Sequence, residues 1–97
     1  MGNYKLSSSS ESDFVNIYKF GKKRFGIEQA KKYLVSIELF LMELSEKPYM
    51  DKDASMFAHN LKYYNFRAQV IFYIRDNSDT IYIVRVLGSR MNFIDHL

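Results

Sequence analysis

Four arginines are the residues best placed to do chemistry in this chain. Arg67, Arg75, Arg85 and Arg90 lie on or just after apolar, strand-like segments, interleaved with Tyr64, Tyr73 and Tyr82. A guanidinium is a rigid fork that fits a carboxylate or a phosphate with two parallel hydrogen bonds. Arg85 stands inside Ile81-Tyr82-Ile83-Val84-Arg85-Val86-Leu87, where an unpaired charge is costly. Two readings are open: an ion pair with an acid of the same chain, or a socket for a phosphate or a partner's carboxylate. A second basic group, Lys19, Lys22, Lys23, Arg24, Lys31 and Lys32, is interrupted only by Glu28. It reads either as a solvated helix face or as a patch for an acidic partner.

Other chemistries lack their residues. With Cys 0 there is no disulfide framework, thiolate nucleophile or thiolate metal site. His59 and His96 cannot build a histidine-rich metal site alone, and both read as surface histidines. Neither has a serine beside it in sequence, as an activated nucleophile would need. The phosphate-binding, dinucleotide, zinc-protease and nucleophile-elbow motifs are absent. The carboxylates are scattered, with no pair isolated in an apolar run. No metal and no cofactor is expected.

These residues must be carried by a small scaffold. A chain of 97 residues, 47% hydrophobic and 26% charged, with net charge +3, is globular in composition. The expectation is a single domain over residues 1–97. The stretch from Met1 to Asp13 is polar and serine-rich, without a secretory leader pattern. Apolar runs stay far short of the ~20 residues that cross a bilayer. A cytoplasmic protein with no membrane partner is expected. Phe 8 and Tyr 8 are more rings than a core this small needs, so some should face a partner.

The spacing predicts a short strand at Asn3-Tyr4-Lys5-Leu6, then a helix. Ser8 with Glu11 fits a capping box, and Ser7 is an equal candidate cap. Phe14, Ile17, Tyr18, Gly21 and Phe25 form one helix face, and Gly26 ends it in a left-handed conformation. A second helix comes next, with Ala30, Leu34, Ile37, Leu41 and Leu44 in a stripe widened by Tyr33, Phe40 and Met42. Pro48 ends it near Lys47. The two helices should form an antiparallel hairpin with the basic group at its tip. Residues 49–60 have no period, and Asp51-Lys52-Asp53 is turn-like. Three strands are predicted at Leu61 to Phe66, Gln69 to Arg75 and Thr80 to Leu87, with a turn at Asp76-Asn77-Ser78-Asp79. Met91 to Leu97 is a short tail with one helical turn. The fold class is α+β: a short N-terminal strand, an antiparallel two-helix hairpin and a three-stranded antiparallel meander. The last two strands are apolar on both faces, so the face away from the helices needs the tail or a partner.

Several of these segments together resemble the ParE toxins of bacterial toxin–antitoxin modules. Leu6-Ser7-Ser8-Ser9-Ser10-Glu11-Ser12-Asp13-Phe14 is similar to their opening L-S-x-x-A-x-x-D-L. Val70-Ile71-Phe72-Tyr73 resembles their H-V-I-F-Y strand. Ile83-Val84-Arg85-Val86-Leu87, with Arg90-Met91 and His96-Leu97, resembles I-V-R-V-L-H-x-R-M-D…H-L. Phe25-Gly26 and Pro48 match the aromatic–Gly between the helices and the Pro after the second. The resemblance spans nearly the whole chain, in order. It implies the RelE/ParE-like fold and a type II toxin that inhibits DNA gyrase, is not an enzyme, and is neutralised in a hetero-oligomer by a ParD-like antitoxin. Under it, Tyr33, Phe40, Tyr73, Arg85 and Arg90 are expected to bind the antitoxin. Lys22, Lys23, Arg24 and Lys31 are expected to meet the target. The chain departs from the family pattern at Gln69, often His, at Lys62, often Arg, and at Gly88-Ser89, usually His-Gly. Gly88-Ser89-Arg90 is closer to the Gly-Lys-Arg of RelE-like mRNA endonucleases, in which case Arg90 and His96 would be catalytic. A degenerate toxin that only binds antitoxin is the remaining alternative.

Overall fold

The computed structural model describes residues 2–77 and 79–97. The chain opens with strand β1 (Asn3–Leu6), then helices α1 (Ser8–Phe25) and α2 (Ile27–Glu46). A single 3-10 turn at Pro48–Met50 leads to β2 (Lys52–Asp53), β3 (Lys62–Phe66), β4 (Gln69–Asn77) and β5 (Thr80–Gly88). A last turn of helix, α3, covers Phe93–His96. The strands form one sheet in the order β1-β5-β4-β3-β2. All neighbours are antiparallel except β1, which runs parallel to β5 with Tyr4 opposite Ile81.

The α+β architecture and the hairpin are as the spacing predicts. The cap of α1 is Ser7, not Ser8: its Oγ accepts from the Ser10 amide at 3.0 Å. The same hydroxyl donates to the Val84 carbonyl at 2.7 Å, tying the helix start to β5. Gly26 has the positive φ expected of it, 93°, but an extended ψ of 163°. That region is open to glycine and closed to side chains, and it lets α2 begin at the next residue. β2 departs from the sequence pattern, in which Asp51-Lys52-Asp53 reads as a turn. Its two residues pair with Lys62 and Tyr63 at the sheet edge. β4 runs on to Asn77 through the predicted turn, of which Ser78 lies outside the described residues.

The sheet separates two apolar clusters. Toward the helices, Ile37, Leu41 and Leu44 of α2 pack on Ile71, Tyr73, Ile81, Ile83 and Val86. On the reverse face, Ala54, Leu61, Val70, Phe72 and Leu87 are covered by Phe57, Tyr63, Val84 and Phe93. The chain thus covers this face itself, with the 54–61 segment as well as the tail. Phe57 and Phe93 meet Phe72 edge-on, at centroid distances of 6.0 and 5.1 Å.

One irregularity decides where Arg85 points. Phe72 pairs with Arg85 but Tyr73 pairs with Ile83, so β5 carries an extra residue there. Such a bulge shifts the alternation of faces. Ile81 and Ile83 face the helices, and Val86, three residues on instead of two, rejoins them. Strict alternation would have put Arg85 into that core in place of Val86.

The C-terminus of α2 is held by Arg75. Its guanidinium donates to the Leu44 and Ser45 carbonyls at 2.9 and 2.8 Å and to the Asp51 carboxylate at 2.6 and 2.8 Å. A cation at the exposed carbonyls of a helix end satisfies groups that have no partner within the helix. Tyr73 donates its hydroxyl to the same carboxylate at 2.5 Å. Arg75 is therefore a structural residue, joining β4 to the end of α2.

Candidate functional site

At the tip of the helical hairpin, α1 and α2 part from the sheet and leave a groove of 1110 Å³. One wall is helical: Ile17, Phe20, Gly21, Phe25, Ala30 and Tyr33. The other is the end of the sheet with the C-terminal tail: Arg67 to Gln69, Arg85 to Met91, and His96. The sheet wall is set by the Arg67-Ala68 turn, whose Ala68 carbonyl accepts from the Ser89 amide at 2.9 Å. Arg67 has a φ of 54°, an uncommon conformation for a residue with a side chain. Its guanidinium lies 5.9 Å from the centroid of Tyr33 and 5.2 Å from that of Phe66. These cation–π contacts favour the strained turn.

Asp13 and Arg85 close the groove floor. Asp13 is 7% exposed and accepts from Arg85 Nε at 2.8 Å and Nη2 at 2.7 Å. The Val86 amide, exposed to it by the bulge, donates to the same carboxylate at 2.9 Å. Arg85 Nη1 donates to the His96 carbonyl at 2.5 Å, so the pair also holds the tail. The hydrogen bond to the Asp13 carboxylate, and its attraction, raises the guanidinium above its ordinary range. Of the two readings of Arg85, the intrachain ion pair is the one realised, and its fork is not open to a partner's carboxylate. Sequence reasoning does not single out Asp13 as its partner. The available signal is a carboxylate on an otherwise apolar helix face, at the spacing of Phe14 and Ile17.

The other expected residues divide into three groups. Tyr73 is 0% exposed at the centre of the helix-facing core, so it presents no surface to an antitoxin. Phe40 is half-buried, stacked on Phe66 at 4.6 Å and beside Tyr64 at 5.6 Å. Tyr33 is also half-buried, and among the described residues its hydroxyl is buried without a hydrogen-bond partner. Arg90 and His96 are exposed and line the groove together. Lys22, Lys23, Arg24 and Lys31 are exposed at the tip, where the predicted hairpin would carry them. Gln69 also lines the groove. Tyr33, Phe40 and Met42 are half-buried; the uncovered apolar side chains of α2 are instead Ile27 at its start, 45% exposed, and Val35 and Leu39 farther along, 53% and 67% exposed. On α1, Phe20 and Phe25 are 60% and 65% exposed, so Phe25 leaves the helix face assigned to it.

No helix among the described residues is long and apolar enough to cross a membrane. Among those residues no three acidic, histidine or cysteine side chains gather as a metal site would require.

Comparison with known proteins adds to this geometry. Residues 4–93 match the family described as the ParE toxin of the parDE type II toxin–antitoxin system. Toxin ParE1 of Caulobacter vibrioides is 27% identical over 97 residues, spanning 97% of this chain and 96% of the relative. A solved structure of the chromosomal ParDE toxin–antitoxin system of P. aeruginosa superposes with a TM-score of 0.73 at 17% identity. That match covers 91% of this chain and 96% of the other, and it places the strand, helical hairpin and mostly antiparallel sheet in the same arrangement.

Proposed function

This chain belongs to the ParE toxin family of type II toxin–antitoxin systems, and from that premise we propose that it inhibits DNA gyrase without catalysing a reaction and is held inactive by a ParD-like antitoxin. The observation that carries the proposal is the separation of two unfinished surfaces. The outer row of α2, Val35 and Leu39, is apolar and uncovered. The hairpin tip is basic and aromatic, with Lys22, Lys23, Arg24, Phe20 and Phe25 all exposed. The first suits an antitoxin segment that buries apolar area on binding. The second suits an acidic target. Both partners would meet the toxin in the cytoplasm, and the resting form would be a hetero-oligomer.

The groove chemistry supports the non-enzymatic reading. Asp13 neutralises Arg85, Gln69 cannot carry a positive charge, and the tail turn bearing His96 is tied by its backbone carbonyl. The test is inhibition of supercoiling by purified gyrase, with a Lys22→Glu/Lys23→Glu variant beside the parent chain. Full-strength inhibition by that variant would move the target surface elsewhere. No inhibition by the parent chain, with antitoxin binding intact, would mark a degenerate toxin.

One observation favours a second reading: Arg90 and His96 share the groove wall, as the residues of an mRNA endonuclease would. Ribosome-dependent cleavage of mRNA that disappears in Arg90→Ala would establish that activity in place of gyrase inhibition.

A further inference from the structure

We infer that the hairpin tip is a contact for single-stranded nucleic acid, with Lys22, Lys23 and Lys31 on phosphates and the rings of Phe20 and Phe25 stacking on unpaired bases. The inference rests on the reading above that the target is a DNA-handling enzyme, and it puts the toxin's tip on the DNA rather than on the enzyme's protein surface.

Three features of the tip lead to this. The first is ring exposure. Phe20 and Phe25 are 60% and 65% exposed, a costly state for two phenyl rings that a nearby apolar wall could have covered. The second is the guanidinium of Arg24, which lies 5.5 Å from the Phe20 centroid and 5.8 Å from that of Phe25. A planar cation shared by two rings makes an ordered platform with both charge and π surface. The third is the charge around it. From Lys19 to Lys32 the only acid is Glu28 among six cations, in a chain whose net charge is just +3.

The chemistry distinguishes possible partners. A segment of acidic residues alone would be served by the cations and would leave the ring faces uncovered. In a duplex the base faces are already stacked on one another, leaving the rings only groove edges and sugar. An unpaired strand offers regularly spaced phosphates and free base faces together, the combination that basic, aromatic single-strand sites use. The mouth of the groove continues the pattern: Arg67 over Tyr33 is a second guanidinium–ring unit beside the tip.

The experiment is fluorescence anisotropy of the full chain with a labelled single-stranded DNA oligonucleotide, the same sequence as a duplex, and a poly-glutamate peptide as competitor. The single strand should bind more tightly than the duplex and resist displacement by poly-glutamate at matched charge. Lys22→Glu/Lys23→Glu should reduce the log–log salt slope by about 1.4, the release expected from two phosphates on a single strand. Phe20→Ala/Phe25→Ala should weaken binding by about 30-fold or more, the loss expected from two stacked bases, with the slope unchanged. All four side chains are exposed, and an unchanged urea midpoint would confirm that the variants fold. Equal binding of duplex, displacement by poly-glutamate, or full affinity in the phenylalanine variant would each overturn the inference. Gyrase is assayed separately: gyrase inhibition by a phenylalanine variant that no longer binds the strand refutes this inference alone. Strand binding by a chain that leaves gyrase untouched refutes the gyrase reading alone.

Discussion

Replacing Asp13 by Ala should be among the most damaging single changes in this protein. The carboxylate accepts three hydrogen bonds, two from Arg85 at 2.8 and 2.7 Å and one from the Val86 amide at 2.9 Å. Its loss leaves the Val86 amide without its acceptor, worth about 1–3 kcal/mol if water cannot enter. It also strands the Arg85 charge. Breaking a fully buried pair costs about 3–5 kcal/mol. The Arg85 side chain is 21% exposed, so water recovers part of that. Both effects together come to about 3 kcal/mol. For a domain of this size that is a drop of about 12–24 °C in Tm. Urea unfolding of Asp13→Ala, Arg85→Met and the double variant would measure it. The double variant should be more stable than the sum of the singles implies, by at least about 1 kcal/mol, because it removes the stranded charge. A cost below about 1 kcal/mol for Asp13→Ala, or strict additivity, would refute the claim that this pair holds α1, β5 and the tail together.

Three further outcomes rest on other contacts. Gly2→Ala should destabilise by about 1–3 kcal/mol in urea, as overpacking does, because a Cβ there would sit 2.2 Å from Ser45 Oγ and 2.7 Å from the immovable Met42 carbonyl. Burial first, and then the Asp51 carboxylate, hold the Tyr73 phenol well above the usual tyrosine range. Its folded pKa is raised, so the stability it confers is complete below about pH 10, the unfolded value, and is lost as pH climbs beyond. Absorbance titration at 295 nm should show one tyrosine ionising only as the chain unfolds, and a Tyr73→Phe curve superimposable on the parent would disprove this. Leu39→Asp should weaken antitoxin binding at least tenfold with little change in urea midpoint. Phe40→Asp should lower the midpoint itself, since it breaks the stack on Phe66. Equal antitoxin affinity in Leu39→Asp would place the interface off the outer row of α2.

Much of the scaffold is legible because it is written in local periods. The 3–4 spacing of Ala30, Leu34, Ile37, Leu41 and Leu44 marks the inward stripe of α2, and all are buried except Leu34, which is half-buried. Helix ends are legible where one residue type forces them, at Gly26 and Pro48. The basic tip is legible too, since it needs only two helices and a turn. Less visible is β2, whose two residues have no period and become a strand only because Lys62 and Tyr63 lie alongside. Ser7 and Ser8 are indistinguishable as caps until β1 runs on beside β5 and brings the Ser7 hydroxyl to Val84.

The candidate site is harder to read, because its residues meet through long-range closure. Arg85 in an apolar strand announces that it needs a counter-charge, but eleven acidic residues could supply it. Asp13, 72 positions away, does so because α1 packs over β5 and because a bulge turns Arg85 out of the core. Tyr73 and Tyr82 look alike in sequence, each a tyrosine between isoleucine or phenylalanine neighbours on a strand. One is 0% and the other 42% exposed, since only one faces the helices and has Asp51 beneath its hydroxyl. Likewise the apolar excess of α2 is plain from composition, yet which side chains remain uncovered depends on how the helix is rotated against the sheet. Local spacing and residue type therefore determined the order of elements, the hairpin and its charged tip. Partners, faces and exposed surface were decided by the tertiary structure, because a charge or a ring is satisfied by whatever the folded chain brings within a few ångströms of it.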